Sequence, residues 1–180
     1  MPTALPRLGR LCLLALPGCG ADPFDAIVVD QAVIAADGAT HGMVGFLGGY
    51  SLANATLLVH ETGGSSWTIP IALGGSLWGV GAELGVALFV QPELALPGGD
   101  LPVSDILGDY SGEHVAFGAA LGVHHLQVRN AAGCTIDVFG FDLGVGMEAG
   151  GALFNMQATG DPVQGSDGYS EEQLAAAADE

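Results

Sequence analysis

The chain predicts a mainly β protein, a single compact Gly-rich antiparallel sheet or barrel-like domain with one short helix. Two observations lead there. From Leu77 to Val90 the even positions read Trp78, Val80, Ala82, Leu84, Val86, Leu88 and Val90, while the odd positions are mostly glycine. The same alternation returns at 113–123, through Val115, Phe117, Ala119, Leu121 and Val123, and at 139–147, through Phe139, Phe141, Leu143, Val145 and Met147. A period of two is the signature of a strand, because successive side chains point to opposite faces. One face of each stripe is bulky and apolar and the other nearly bare. A bare strand face suits close approach by another backbone, a sheet layer or a ligand chain.

The elements follow in order. Residues 26–34 (AIVVDQAVI) read as a first strand, and 35–40 as a turn-rich link. Residues 42–50 alternate again, with Val44, Phe46 and Tyr50 assigned to one face and Gly45 and Gly49 to the other. Residues 55–60 form a strand whose hairpin turn uses Gly63-Gly64, and 66–73 form its returning partner. Gly74-Gly75 then separates that partner from the long striped strand. Pro92, Pro97, Gly98 and Gly99 predict an irregular crossing loop. Pro102 near a helix start and Gly108 past its end place a short helix between them. Two further striped strands are joined by 130–133, the last running to about Met156. The expected organisation is a signal peptide at 1–18, a tether at 19–25, a β domain at 26–157 and an acidic disordered tail at 158–180, with a capped helical stub from Ser170.

Charge narrows the partners. There are 20 acidic residues against 3 basic ones, for a net charge of −17, and no lysine. Arg7 and Arg10 lie in the first ten residues, so removing a leader leaves Arg129 alone against every acidic residue. Such a surface repels nucleic acid and anionic head groups. Arg7, Arg10 and the short apolar run Leu11–Leu16 read as a secretion signal, too short to span a bilayer. Leu16-Pro17-Gly18-Cys19 resembles a bacterial lipobox, although proline departs from the small or β-branched residue usual at its second position. That resemblance implies acylation of Cys19, an extracytoplasmic location (periplasm or cell surface) and attachment to a membrane. With Cys12 removed, Cys134 is expected to be a buried unpaired thiol beside a turn.

Residues 45–90 resemble the SYLF lipid-binding domain family. The likeness is carried by Gly48, Gly49, Leu57, Leu58, Trp67, Pro70, Gly74, Gly75, Ser76, Gly79, Gly81 and Gly85. The later order, a short helix, a Gly/Ala-rich strand and a strand with aromatic and glycine residues, extends it over roughly 40–156. Two departures limit it: SYLF proteins carry helices before the sheet, and their eukaryotic members use basic residues for phosphoinositides. Here only about seven residues separate Cys19 from the first strand, and there is no lysine. What the resemblance implies is a non-catalytic binding or scaffold domain that takes a lipid or other amphipathic small molecule, with Trp67, Trp78, Gly79, Gly81 and Glu83 at the ligand and no cofactor or metal.

Two other classes compete. His114 and His124 share one face and can meet Asp142 or Glu148 across a sheet, which would suit a hydrolytic or metal-dependent enzyme. The adjacent His124 and His125 point to opposite faces, so they do not grip one ion together. No G-x-S-x-G elbow exists, and Gly79–Leu84 lacks the glycine spacing and the helix of a dinucleotide loop. An integral outer-membrane β-barrel is the third class. Against it, the second face of the stripes is mostly glycine rather than polar, and aromatic residues are only 7%.

Overall fold

The computed structural model describes residues 22–165, apart from the side chains of Glu83 and Leu88. The leader, Cys19 and the stub at Ser170 lie outside the described residues. The elements are β1 (Val28–Ala35), β2 (Gly38–Ala53), β3 (Thr56–Glu61), β4 (Ser66–Ala95), β5 (Leu101–Pro102), α1 (Val103–Ile106), β6 (Gly108–Asn130), β7 (Thr135–Ala158) and β8 (Val163–Gln164). All pairings are antiparallel, in the order β5-β1-β3-β4-β7-β6, with β2 and β8 also on β4. The mainly β, barrel-like domain with one short helix is therefore what the described residues form.

Three local features differ from the sequence reading. Gly74-Gly75 does not interrupt a strand, because both glycines pair with β7 on one side and β2 on the other. Pro92 lies within β4 opposite Val138 rather than in a loop. The register shift between Gly45 and Leu47 moves Tyr50 to the face opposite Val44 and Phe46. Beyond residue 157, Val163–Gln164 adds a short pairing with Trp67–Thr68.

The four long strands do not run straight; they turn back together. On β2, the His41 and Tyr50 rings stack with centroids 6.0 Å apart. Nine residues of straight strand would hold them ~30 Å apart. A Cβ added to Gly48 would strike Gly42 and Met43 of its own strand. On β6, a Cβ on Gly122 would strike Phe117 and Gly118, and one on Gly112 would strike Gln127 and Val128. The two halves of β2 thus lie edge to edge, and so do the two halves of β6. With β4 and β7 arching between them, the four strands supply eight staves of a closed barrel. About eight staves enclose a space that side chains can fill. At the turning level each strand has a residue of positive φ, Gly45 (74°), Gly81 (143°), Ala120 (86°) and Gly146 (135°).

The barrel has two halves of opposite polarity. At the base, inward side chains are apolar: Leu73, Leu77, Leu126, Val128, Ile136, Val138, Phe154 and Met156 are buried, with Ile27, Val29, Leu57, Val59 and the α1 residues Val103 and Ile106 packed among them. Tyr110 closes this core by donating its hydroxyl to the Ile106 carbonyl at 2.6 Å. Towards the apex the pattern inverts. Outward positions carry the bulky stripe, with Phe46 75%, Phe89 74% and Leu121 76% exposed. Inward positions carry glycine, histidine and carboxylates.

Ala120 is the only alanine among the four turning residues, and φ > 0 costs an L-residue about 1–2 kcal/mol. Ala120→Gly is expected to raise the melting temperature, with the gain read from thermal unfolding of the two proteins side by side. Gly81→Val should lower it, by about 1–3 kcal/mol of overpacking, because its Cβ would meet the Met147 carbonyl and Glu148 Cα.

Candidate functional site

The apical interior gathers five charged or ionisable side chains from three strands, all buried: His41 of β2, His114 and His124 of β6, Asp142 and Glu148 of β7. Strand parity places them. On β7 the even residues face inward from Ile136 to Met156, so Asp142 and Glu148 share the inner face. The turn of β7 lies between them, which brings both carboxylates onto one imidazole. His41 Nε2 lies 3.1 Å from Asp142 Oδ2, and His41 Nδ1 lies 3.5 Å from Glu148 Oε1. His114 Nε2 meets that same Glu148 Oε1. His124 Nδ1 bonds Asp142 Oδ1 at 2.7 Å, and its Nε2 pairs with the Tyr50 hydroxyl at 2.9 Å.

The glycines explain how the rings fit. A Cβ on Gly85 would collide with the His41 ring, and one on Gly140 with the His124 ring. The bare faces of β4 and β7 are thus partly filled by imidazoles from neighbouring strands. Gly79 and Gly81 also face inward, but against the backbone of β7.

The electrostatics are unusual because no arginine or lysine reaches this interior; among the described residues Arg129, exposed at the base, is the one such cation. Two buried carboxylates therefore depend on histidines for compensation. Burial pushes His41 towards neutrality, but Glu148 and Asp142 outweigh it and raise its pKa above 6.5. Burial likewise opposes ionisation of Glu148, yet His114 and His41 hold its pKa at about 2. His124 is lowered, chiefly by burial, with Asp142 opposing and the charges of His41 and His114 adding to the depression. Burial and the Asp142 charge both raise the Tyr50 hydroxyl, which keeps it a neutral hydrogen-bond partner.

Of the residues expected at a ligand, the two tryptophans lie apart. Trp67 packs at the base, donating to Glu61 at 3.1 Å, whereas Trp78 is 41% exposed and lies over Gly151 on the outside. Glu83 pairs in the sheet with Met43 and Gly146. An open recess of ≈ 560 Å³ lies instead near the apex, bordered by Met43, Val44, Ala82, Leu84, Leu143 and Val145. By contrast His114, His124, Asp142 and Glu148 do meet. Sequence reasoning missed His41, because the second strand was begun one residue after it. Its spacing of two from the buried Met43 was the available signal. His125 faces outward to Asp137 at 2.8 Å, opposite to its neighbour His124. Cys134 is a buried free thiol at the β6–β7 turn, its N–H donating to Asn130 Oδ1, and burial raises its pKa. A raised pKa disfavours the reactive thiolate.

No family model matches the chain, and neither do any curated protein or solved structure.

Gly85→Ala should destabilise the protein by about 1–3 kcal/mol, because the His41 ring is confined between Tyr50 and His124 and cannot swing away. Gly63→Ala, where an added Cβ meets nothing within 4 Å, is the matched control and should stay within about 0.5 kcal/mol. Urea unfolding of both variants measures the difference.

Proposed function

We propose that the protein is an extracytoplasmic membrane-bound binding or scaffold domain that contacts lipid through the outer surface of its barrel apex. The observation that carries this reading is the inverted polarity of the apex. Eighteen of the nineteen large exposed hydrophobics among the described residues lie on β2, β4, β6 and β7, on every side of the apical half. On β7 the outward positions from Phe139 to Leu153 hold no charged residue, while Asp137 and Asn155 bound them. On β6 the outward stripe Val115–Val123 is bounded by Glu113 and His125. Soluble monomers rarely expose contiguous apolar patches beyond a few hundred Å². A protein partner would cover one side; a band on all sides suits acyl chains.

The depth of the band is consistent with this. From Glu113 to the turn at Ala120 is seven residue steps, or ~23 Å along the strand at ~3.3 Å each. A barrel tilt of roughly 35–45° reduces that to about 18 Å. The hydrocarbon core is ~30 Å thick, so the apex would enter one leaflet without crossing. No helix among the described residues is long and apolar enough to cross a membrane, which leaves strands out of account. The sequence argument against a membrane barrel, that the second face lacks polar groups, does not apply to this apex, where that face holds the histidine–carboxylate cluster. The lipobox-like Cys19 and the SYLF-like stretch point to the same surroundings, a membrane and an amphipathic ligand. The −17 charge argues for zwitterionic rather than anionic lipid.

Flotation with phosphatidylcholine vesicles tests the reading. The Cys19→Ser protein, which has no acyl anchor, is expected to co-float with vesicles. In a Trp67→Phe background the Trp78 emission should shift to the blue and lose access to an aqueous quencher. Phe46→Glu with Leu121→Glu should abolish both effects. A protein that stays in the aqueous fraction, monomeric or with its apolar band covered by a second copy, would overturn the proposal.

A further inference from the structure

We propose that the polar centre of the barrel binds one divalent transition-metal ion through His41, His114 and Glu148. The inference stands apart from the membrane reading and rests on what the buried atoms lack. Both ring nitrogens of His41, both of His114 and both carboxylate oxygens of Glu148 are buried without a hydrogen-bond partner. Unpaired buried polar atoms are rare, and each costs about 1–3 kcal/mol. Asp142 Oδ2, beside His41 Nε2, is a seventh such atom, and the six on His41, His114 and Glu148 call for a common partner. These three residues can present one donor atom each, all lying within 4.8 Å of one another. His41 Nδ1 and His114 Nε2 both lie against the same Glu148 oxygen, without forming a hydrogen bond to it.

The rest of the cluster behaves differently. His124 is satisfied, bonded to Asp142 on one nitrogen and Tyr50 on the other. Asp142 then presents Oδ2 to His41 Nε2 at 3.1 Å, on the side of the ring away from Glu148. A carboxylate behind a ligating imidazole is the usual outer partner of a metal-bound histidine, fixing its tautomer and orientation. His41, His114 and Glu148 are thus the ligands, and Asp142, His124 and Tyr50 position His41.

The donor set selects the ion. Two imidazoles and one carboxylate suit zinc and its first-row neighbours, with bond lengths near 2.0–2.2 Å. Calcium and magnesium need about six or more oxygen ligands, which this interior lacks. The charge balance agrees, since two buried carboxylates have no lysine or arginine beside them. The ligands come from β2, β6 and β7, so the ion would tie strands on both walls of the barrel together. Because the site is buried, loading belongs to folding rather than to exchange in the native state.

The full chain, refolded with zinc and dialysed, is expected to retain one ion per chain by elemental analysis and to melt at higher temperature than protein refolded with chelator. Glu148→Gln and His114→Asn should each lower retention at least tenfold, and Asp142→Asn should weaken affinity by about 10–100-fold. Where a variant fails to fold, wild-type protein refolded with cobalt(II) decides: two paramagnetically shifted imidazole systems are expected. Failure of the wild type to retain zinc, retention unchanged in a folded His41→Asn/His114→Asn double variant, or a cobalt form without shifted histidine signals would each overturn the proposal.

Discussion

The structure depends on the reversal of four paired strands at one level. A sheet that bends this sharply brings its own inner face against itself, and inner positions near the bend then have almost no room. Gly48 and Gly122 meet the opposite half of their own strand, and Gly81 meets the backbone of β7. Larger residues at these points would force the walls apart and break the edge-to-edge contacts that close β2 and β6. Glycine also permits the positive φ values at three of the four turning positions. The bare stripe is thus the condition for closure, and the bulky stripe faces outward because the inside cannot hold it.

Closure creates an electrostatic problem that the cluster addresses. The inner apex is buried, narrow and walled by glycine backbone, yet it contains Asp142 and Glu148. Charges taken out of water are stable only when paired and hydrogen-bonded. The Tyr50–His124–Asp142 chain meets that requirement at His124 and at Asp142 Oδ1, whereas Asp142 Oδ2 and the His41–His114–Glu148 group have close contacts without hydrogen bonds. The same residues that make the interior polar leave the exterior as the only place for the apolar side chains. Inverted polarity outside and compensated charge inside are two consequences of one geometry.

The base supplies the stability that the apex does not. There the usual arrangement returns, with Leu57, Ile69, Leu126, Ile136 and Met156 buried and Asp109, Gln127, Arg129 and Gln157 exposed. A continuous β4, β6 and β7 run through both halves, so the base core fixes the register that the apex inherits. A one-residue slip would exchange the histidines and carboxylates with the phenylalanines.

Much of this was legible in the residues. Period-two stripes determined the striped strands and the mainly β class, though not the strand ends, because side-chain alternation is a local property of extended backbone. The same parity put His114, His124, Asp142 and Glu148 on shared faces and separated His124 from His125. What local pattern could not carry was direction. Alternation shows that Phe139 and Gly140 point opposite ways, but which way is inside depends on curvature, and curvature is set by contacts between residues far apart, such as Gly112 with Val128. For the same reason His41 was invisible as a site residue: its neighbours Asp142 and Glu148 lie about a hundred positions away. The sequence determined which residues share a face; only the tertiary structure decided that the glycine face is the interior, because only a closed, doubled-back barrel makes space too scarce for anything larger.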